Sequence, residues 1–288
     1  MVEFEVPEID YDQYSNRQLA AVPLVVLLVA IAVLAGSWMV TGSPVALGIE
    51  FTGGSQLTVE SSMSTAEIGN TFSPEPVSIQ GVGGQANTYV LTFENDAGNV
   101  TSLVNQAESA GMTVLGSGET PATFGQESQR VALIGLAIAF VGMSLLAFAL
   151  FRTFVPSLAI IVSAFSDIMI PLAVLSLLRV KLSLGTVAAL LMLIGYSVDS
   201  DILLNNHILR RRGEFYESTY AAMRTGVSMT LTSIAAMAVM AVMASFFNIT
   251  LMAQIGFVLV LGLSVDLMNT YMLNLSLLRW YKFEGVSQ

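Results

Sequence analysis

The sequence predicts an α-helical membrane protein with six transmembrane helices and one exterior α+β domain. Charged residues occupy only 11% of the 288 positions, against 54% for hydrophobic residues, whereas soluble domains commit about a quarter of their residues to charge. The apolar residues gather into six runs long enough to cross a bilayer. A polar stretch between the first two runs carries strand-like and helix-like patterns and predicts the exterior domain.

Each predicted span is a charge-poor run close to the roughly 20 residues that cross a hydrocarbon core. The predicted spans cover residues 19–40, 131–150, 154–178, 182–206, 227–247 and 250–278. Residues 1–18 are acidic and lack a basic n-region, so we interpret the first span as an anchor and not as a cleaved signal peptide. The other five spans form a bundle over residues 131–282, and residues 283–288 form a tail.

The basic residues are divided unequally between the two sides of the membrane. With the N-terminus inside, eight of the eleven Lys and Arg residues fall on the cytoplasmic side, and Arg130, Arg179 and Lys181 fall outside. This positive-inside bias predicts a multi-pass protein of the cell membrane with both termini in the cytoplasm. It places residues 41–128 on the outer side.

Residues 41–128 contain nine acidic residues and no Lys or Arg. Alternating and β-branched positions predict strands at 55–60, 77–80, 88–93 and 113–118, and helices at 64–72 and 100–110. The order β-α-β-β-α-β predicts a ferredoxin-like module. The acid excess is typical of a halophile, in which hydrated acids keep a protein soluble, and drift in an exported loop explains it equally well.

Composition excludes several kinds of site. The chain has no Cys and a single His, His207, which excludes disulfides, thiol catalysis and sites built from several imidazoles. The net charge of −10 argues against a nucleic-acid partner, because phosphates are neutralised by basic surface. We expect no enzyme activity, no cofactor and no metal, and we expect membrane lipid around the spans.

Four carboxyl groups inside the spans are the most informative residues. An Asp at the bilayer centre costs about 2.5–3.5 kcal/mol on insertion scales, so it is expected to face the bundle interior, to be protonated, or to bind an ion or a partner. Asp199 is the first candidate for ion coupling, and Asp266 and Asp167 follow. We expect Asp199 to face the polar core, and Asp201 to lie on another face, as readily at the interface as inside.

Polar residues beside these carboxyl groups are supporting candidates. They are Asn206, seven residues after Asp199, together with His207, Arg224 and Asn269. Each has a structural alternative: the buried polar groups can serve as interhelical hydrogen bonds, and a single His beside three Arg residues can be an interfacial residue. A proton relay through His207 is the functional alternative.

Several motifs of the chain resemble those of the SecD/SecF family. Residues 48–54 (GIEFTGG) resemble its D-F-T-G-G signature, residues 119–125 (ETPATFG) resemble the stretch before its second span, and residues 195–199 (GYSVD) resemble its fourth-span motif. Phe151-Arg152 and Ser166-Asp167-Ile168 resemble its F-R and H-D-[IV] elements, with Ser166 in place of the His. The order of anchor, exterior domain and five spans extends the resemblance over nearly the whole chain.

The resemblance implies a bundle of the resistance-nodulation-division type and a role as an export auxiliary. The family assists protein export without ATP, so the implied partners are a SecD-like subunit, a SecY-type translocon and exported polypeptides, and the implied energy source is a proton or sodium gradient. Together with the acidic exterior domain, the resemblance implies a halophilic archaeal source.

The turn after the first span is expected to couple that span to the exterior domain. It is formed by Glu50, Phe51, Thr52, Gly53 and Gly54, and paired glycines reach conformations closed to other residues. An ordinary tight turn is the alternative.

The chain also departs from the family pattern. Asp199-Ser200 stands where the family usually has N-D, residues 205–208 (NNHI) stand where it has F-[ED]-R-I, and only Arg224 lies near the place of a fifth-span Arg. Sodium coupling, or a passive assembly role without ion flux, therefore stays open. A remote alternative is an intramembrane aspartyl protease, which needs paired aspartates, but Ser197-Val198-Asp199 lacks the G-x-G-D element of those enzymes.

Overall fold

The computed structural model describes residues 11–82, 85, 87–94, 99–210 and 214–285. Six of its helices are long and apolar enough to cross a membrane, and a four-stranded sheet lies in the chain between the first two of them. The predicted fold class, six transmembrane helices with one ferredoxin-like domain, is confirmed. Most of the predicted acidic segment 1–18 and the end of the predicted tail lie outside the described residues.

The elements follow one another along the described chain in a simple order. They are α1 (Asn16–Thr41), α2 (Ile49–Thr52), β1 (Gly54–Glu60), α3 (Thr65–Thr71), β2 (Ser78–Gly81), β3 (Thr88–Glu94), α4 (Val100–Ser109), β4 (Thr113–Thr120), α5 (Ala122–Phe151), α6 (Phe154–Leu177), α7 (Leu184–Arg210), α8 (Phe215–Phe246), α9 (Thr250–Met268) and α10 (Leu275–Trp280). A π-helical segment, Asn269–Asn274, joins α9 to α10, and a second one, Tyr281–Gly285, follows α10.

Two transmembrane helices begin well before the bounds predicted from hydropathy. Helix α5 begins at Ala122 instead of residue 131, and α8 begins at Phe215 instead of residue 227. A helix satisfies its backbone hydrogen bonds internally, so it can continue into water with polar side chains. Hydropathy detects only the part of such a helix that is apolar enough for the bilayer.

The exterior domain is a four-stranded antiparallel sheet in the order β2-β3-β1-β4. Alternate residues of the central strands are fully buried: Leu57 and Val59 on β1, Leu91 and Phe93 on β3. Together with residues from α3 and α4 they form a separate hydrophobic core. The strand bounds lie within two residues of the predicted ones, because alternation marks the buried face of a sheet directly.

Helix α3 begins at a reciprocal cap. The Ser64 hydroxyl accepts from the backbone N–H of Glu67, and the Glu67 carboxylate accepts from the backbone N–H of Ser64 at 2.8 Å. Two otherwise unpaired N–H groups are thereby satisfied. The Ser64 hydroxyl also donates to the Glu67 carboxylate at 2.8 Å. The pKa of Glu67 lies below its usual value, mainly because of the hydrogen bond from the backbone N–H of Ser64 and secondly because of the one from the Ser64 hydroxyl.

The membrane bundle has an inner and an outer set of helices. Helices α6 and α7 are the most buried of the six spans, and α5 and α8 are the least buried. Large apolar side chains on the outer pair are exposed, among them Leu133 and Ile138 on α5, and Val239 and Val242 on α8. Such a surface suits lipid, where apolar side chains can face outward without cost.

The two ends of the bundle are tied by different contacts. At the end that carries the exterior domain, the backbone N–H of Leu182 donates to the carbonyl of Ala46 at 2.7 Å, and the N–H of Gly48 donates to the carbonyl of Leu182 at 2.8 Å. Leu182 lies between α6 and α7, so this parallel bridge fastens the α6–α7 connection to the chain that leads into the exterior domain.

At the opposite end, Arg279 of α10 holds the beginning of the described chain. Its guanidinium donates to the carbonyl oxygens of Tyr11 at 2.9 Å and Tyr14 at 2.6 Å, and to the side-chain oxygen of Asn16. The Tyr11 ring is buried, and its hydroxyl donates to the sulfur of Met223. Burial raises the pKa of Tyr11 to about 12, so this tyrosine stays neutral.

Replacing Phe93 by Ala should loosen the exterior domain. Phe93 is fully buried and meets the Phe72 ring edge-on with centroids 5.2 Å apart, and truncating a buried Phe costs about 3–5 kcal/mol. Hydrogen exchange of the intact protein in detergent should become faster in β1 and β3 and stay unchanged in α6. Leu115→Ala on β4, which is 52% exposed, is the control, with an expected change of about 0.5 kcal/mol or less; equal protection in the two variants would contradict the described core.

Candidate functional site

Three carboxyl groups converge in the interior of the bundle. Asp167 on α6, Asp201 on α7 and Asp266 on α9 are all buried, each with at most 1% of its surface exposed. Hydrogen bonds from neighbouring helices reach each of them. We call these three aspartates the carboxyl cluster.

Asp167 is held from α7 and from the π-helical segment. The Ser197 hydroxyl donates to its Oδ2 at 2.5 Å, and the Asn269 amide donates to its Oδ1 at 2.6 Å. The neighbouring Ser166 donates from its hydroxyl to Oδ1 of Asn269 at 3.3 Å. Both oxygens of the Asp167 carboxyl group therefore accept hydrogen bonds from neutral donors.

Asp201 is held mainly from the π-helical segment. Its Oδ1 accepts from the Thr270 hydroxyl at 2.9 Å and from the Asn274 amide at 2.8 Å. One turn later on α7, the Asn205 amide donates to the backbone carbonyl of Asp201 at 2.7 Å and to Oδ1 of Asn274 at 3.4 Å. This network joins α7 to the end of the last transmembrane helix.

Asp266 is linked to α7 through two hydroxyls. The Ser200 hydroxyl of α7 lies 2.9 Å from each oxygen of the Asp266 carboxyl group. The Thr270 hydroxyl, one turn after Asp266, lies 3.4 Å from its Oδ1 and 2.9 Å from Oδ1 of Asp201. Thr270 therefore sits between two members of the carboxyl cluster.

The π-helical segment explains how one stretch of chain serves two carboxyl groups. In an α-helix, residues five apart point in different directions, whereas the wider π-helix brings them to one side. Asn269 and Asn274 are five apart, and both are fully buried. Asn269 reaches Asp167 on α6, while Asn274 reaches Asp201 on α7.

The surroundings of the carboxyl cluster are polar but neutral. Among the residues whose burial the structure describes, the buried polar and charged side chains are Ser, Thr, Asn and Asp, without Lys, Arg or His. Hydroxyls and amides can stabilise a carboxylate through hydrogen bonds, but they carry no positive charge. Balance of charge in this apolar bundle therefore calls for protons or small cations.

The prediction that Asp199 faces the polar core is wrong. Asp199 is exposed and lines an open groove of about 390 Å³ between α7 and α8 with Ser200, Asn206 and Thr230. Asp201 takes the interior position instead, because residues two apart on an α-helix point in nearly opposite directions. Ser200 belongs both to the groove and to the hydrogen bonds of Asp266, so the groove reaches the carboxyl cluster.

The supporting candidates divide in the same way. Asn269 lies inside and binds Asp167. Asn206 is exposed in the groove, Arg224 is exposed on α8, and His207 is half-buried with Nδ1 2.9 Å from the carbonyl oxygen of Leu203. The structure thus places these three outside the buried cluster.

Sequence reasoning missed several polar residues of this site. Asn205 is the buried member of the Asn205-Asn206 pair, and its spacing of four from Asp201 was the available signal. Asn274 continues the stripe of Asp266 and Thr270 by one more helical turn. Ser197 and Ser200 carried a weaker signal, because single serines are common in apolar helices and hydrogen-bond their own backbone there.

The turn after the first span is a short helix and not a plain tight turn. Residues Ile49–Thr52 form α2, which includes Glu50, Phe51 and Thr52, and Gly53 follows with φ of 79° before β1 begins at Gly54. A Cβ on Gly53 would lie 2.8 Å from backbone atoms of Ala122, and one on Gly125 would lie 2.8 Å from the backbone of Phe51. The two glycines let α2 and the start of α5 touch backbone to backbone.

Comparisons with known proteins match the chain along its length. The family model "Protein export membrane protein SecD/SecF, C-terminal" matches residues 103–284, and the model "SecD/SecF GG Motif" matches residues 38–65. The protein-export membrane protein SecF of Haloferax volcanii is 60% identical, and that of Haloquadratum walsbyi is 59% identical, each over the full length of both chains. SecF of Methanolacinia petrolearia is 41% identical over 96% of this chain and 97% of its own.

A solved structure has the same fold. The crystal structure of SecDF, a translocon-associated membrane protein from Thermus thermophilus, superposes with a TM-score of 0.72 at 20% identity. The match covers 96% of this chain and 39% of that chain, so this chain spans about two fifths of the length of the solved one.

Replacing Asn274 by Ala should loosen the contact between α7 and the last transmembrane helix. The substitution leaves Oδ1 of Asp201 with one donor in place of two, and the loss of a buried hydrogen bond in a bundle of this kind costs about 1–2 kcal/mol. The midpoint of thermal unfolding in detergent should fall. Asn206→Ala removes the same side chain from an exposed position and should leave the midpoint unchanged; a fall of the same size in both variants would contradict the network.

Replacing Gly125 by Ala should disturb the junction between bundle and exterior domain. The added Cβ would collide with the backbone of Phe51, and backbone atoms cannot move aside as a flexible side chain can. We expect lower stability and faster proteolysis near residues 48–54. Gly135→Ala on the same helix meets nothing within 4 Å and should stabilise α5 by up to about 1 kcal/mol; tolerance of both substitutions would exclude a close junction.

Proposed function

This chain belongs to the SecF group of the SecD/SecF family of protein-export membrane proteins, and we propose that it uses the transmembrane gradient of protons or sodium ions to promote export. In this proposal it works with a SecD-like subunit beside a SecY-type translocon and assists translocation or release of exported polypeptides. The carboxyl cluster is the ion-coupling site, and the exterior domain is the part that meets the polypeptide.

One observation carries the proposal: three carboxyl groups are buried together among neutral donors in an apolar bundle. Each unbalanced Asp at this depth costs about 2.5–3.5 kcal/mol on insertion scales. Like charges close together raise that cost further. Gain or loss of protons or cations at this cluster therefore changes the energy of the bundle, which is the property that an ion-driven machine requires.

The groove between α7 and α8 supplies a route between the surroundings and the cluster. Asp199 lines the open part of the groove, and Ser200 lines its inner part while bonded to both oxygens of Asp266. A cation or a proton can thus pass from an exposed carboxylate to a hydroxyl that touches the buried one. In this proposal Asp199 attracts the ion and the carboxyl cluster holds it.

Contacts at the outer end of the bundle supply a route from the cluster to the exterior domain. Asp167 lies on α6 and Asp201 on α7, and the connection between these two helices bridges through Leu182 to Ala46 and Gly48. Gly48 is the N-cap residue of α2. A shift of α6 against α7 would therefore act directly on the junction that carries the exterior domain.

The proposed orientation places both termini in the cytoplasm and the exterior domain outside the cell membrane. The positive-inside bias supports this orientation, although Arg179 and Lys181 fall on the outer side. Lys181 lines a cleft between the bundle and the exterior domain together with Glu94 of β3. In this proposal the positive charge of Lys181 lies beside the acidic exterior domain, and this neighbourhood explains why a basic residue is found on the outer side.

Export of a secreted reporter tests the proposal. Cells carrying Asp167→Asn, Asp201→Asn or Asp266→Asn, at matched protein level, are compared with the parent while the ion gradient is intact and after it is collapsed. An Asn keeps the size of the side chain but cannot take up or release a charge. We expect each variant to export poorly, and we expect collapse of the gradient to add no further loss.

Asp199→Asn is the matched control because it makes the same change two residues from Asp201 on the same helix. We expect a smaller loss of export, since Asp199 lies in the groove and outside the buried cluster. A loss at Asp199 as large as the loss at Asp201 would contradict the assignment of coupling to the cluster. If all cluster variants export like the parent, a passive assembly subunit becomes the correct description.

A further inference from the structure

Three oxygen atoms beside Asp201 have no hydrogen-bond partner. They are Oγ of Ser163, Oδ2 of Asp201 and Oδ1 of Asn205, and the three side chains that carry them are fully buried. Buried polar atoms are nearly always paired in folded proteins. Three unpaired atoms on adjoining residues therefore point to something that binds there.

The three atoms belong to one place in the bundle. Asn205 follows Asp201 by one turn of α7, and its amide donates to the backbone carbonyl of Asp201 at 2.7 Å. Ser163 lies on the facing helix α6, one turn before Asp167, and its hydroxyl lies near the Asp201 carboxyl group without making a hydrogen bond of normal geometry to it. The other oxygen of Asp201 is occupied, because it accepts from Thr270 and Asn274.

The donors around this place are already committed. The Asn205 amide N–H groups are used by Asp201 and by Asn274, and the Asn274 amide is used by Oδ1 of Asp201. What remains is a carboxylate oxygen, an amide oxygen and a hydroxyl. While Asp201 is ionised the first two can only accept, so a single hydroxyl hydrogen cannot satisfy the set.

We propose that Ser163, Asp201 and Asn205 form a binding site for a sodium ion. Oxygen ligands suit hard cations, and a site with one carboxylate and two neutral oxygens balances a single positive charge. A divalent ion would want more charged ligands, and among the described residues no group of three or more His, Cys, Asp or Glu could hold a metal. The inference rests on the proposed function, because it names the ion that the carboxyl cluster couples to export.

Binding of radioactive sodium to the purified full chain in detergent or nanodiscs tests the site directly. We expect saturable binding that non-radioactive NaCl displaces and that KCl and choline chloride do not. Thermal unfolding gives a second readout, since a ligand that binds only the folded state raises the midpoint. The midpoint should rise when NaCl replaces choline chloride at constant ionic strength, and KCl should not reproduce that rise.

Two variants and a matched control locate the ion. Ser163→Ala removes one neutral ligand and should weaken sodium binding about tenfold, and Asp201→Asn should abolish it. Ser157→Ala is the control: Ser157 is a fully buried serine on the same helix, but its hydroxyl donates to the carbonyls of Ala147 and Thr153, so sodium binding should be unchanged. Because Ser163→Ala only removes a hydroxyl, its loss of binding can be measured on folded protein.

The outcomes separate the sodium site from the proposed export function. If the parent binds no sodium, or binds it with equal strength in Ser163→Ala, the site holds water or a proton and the inference is overturned; a failure of Asp201→Asn to export would then still support coupling, by protons. If sodium binds as expected but Asp201→Asn exports like the parent, the site stands and the proposed coupling fails.

Discussion

Everything in the bundle depends on how three buried carboxyl groups are kept in an apolar surrounding. Asp167, Asp201 and Asp266 lie on three different helices, and hydroxyls and amides of neighbouring elements hold each of them. The hydrogen bonds that hold these carboxyl groups are therefore also the contacts that hold α6, α7 and α9 together. A change in the charge of the cluster changes the packing of the helices, because the same donors serve both purposes.

The π-helical segment Asn269–Asn274 supplies donors that both hold carboxyl groups and join helices. A π-helix is rare and tends to mark functional positions, and here it turns Asn269 and Asn274 toward two different carboxyl groups. The same continuous stretch leads on to Arg279, which binds the carbonyl oxygens of Tyr11 and Tyr14 at the start of the described chain. The last span thus connects the carboxyl cluster to the end of the bundle opposite the exterior domain.

The sequence predicts the architecture well and the site only in part. Six apolar runs and the alternation in residues 41–128 depend on periodicity, which a single chain displays directly. Asp167, Asp266 and Asn269 are found as polar residues inside apolar helices. Which of Asp199 and Asp201 faces inward depends on the rotation of α7 against its neighbours, which one chain does not display. The spacing of Asn274 from Thr270 was a signal, but that Asn269 and Asn274 lie on one side depends on a π-helix, which a regular α-helical pattern does not predict.

Helices of a passive scaffold can be held together without a carboxyl cluster. Replacing buried charged or polar groups by well-packed apolar ones is often neutral or stabilising, and packing of small and apolar side chains is enough to hold transmembrane helices together. Three aspartates are buried on α6, α7 and α9, an open groove leads to Ser200, and a backbone bridge leads from Leu182 to the exterior domain. The buried aspartates cost stability that assembly alone does not require. Under the proposed function the cluster gains and loses positive charge during export, and that role would account for this cost.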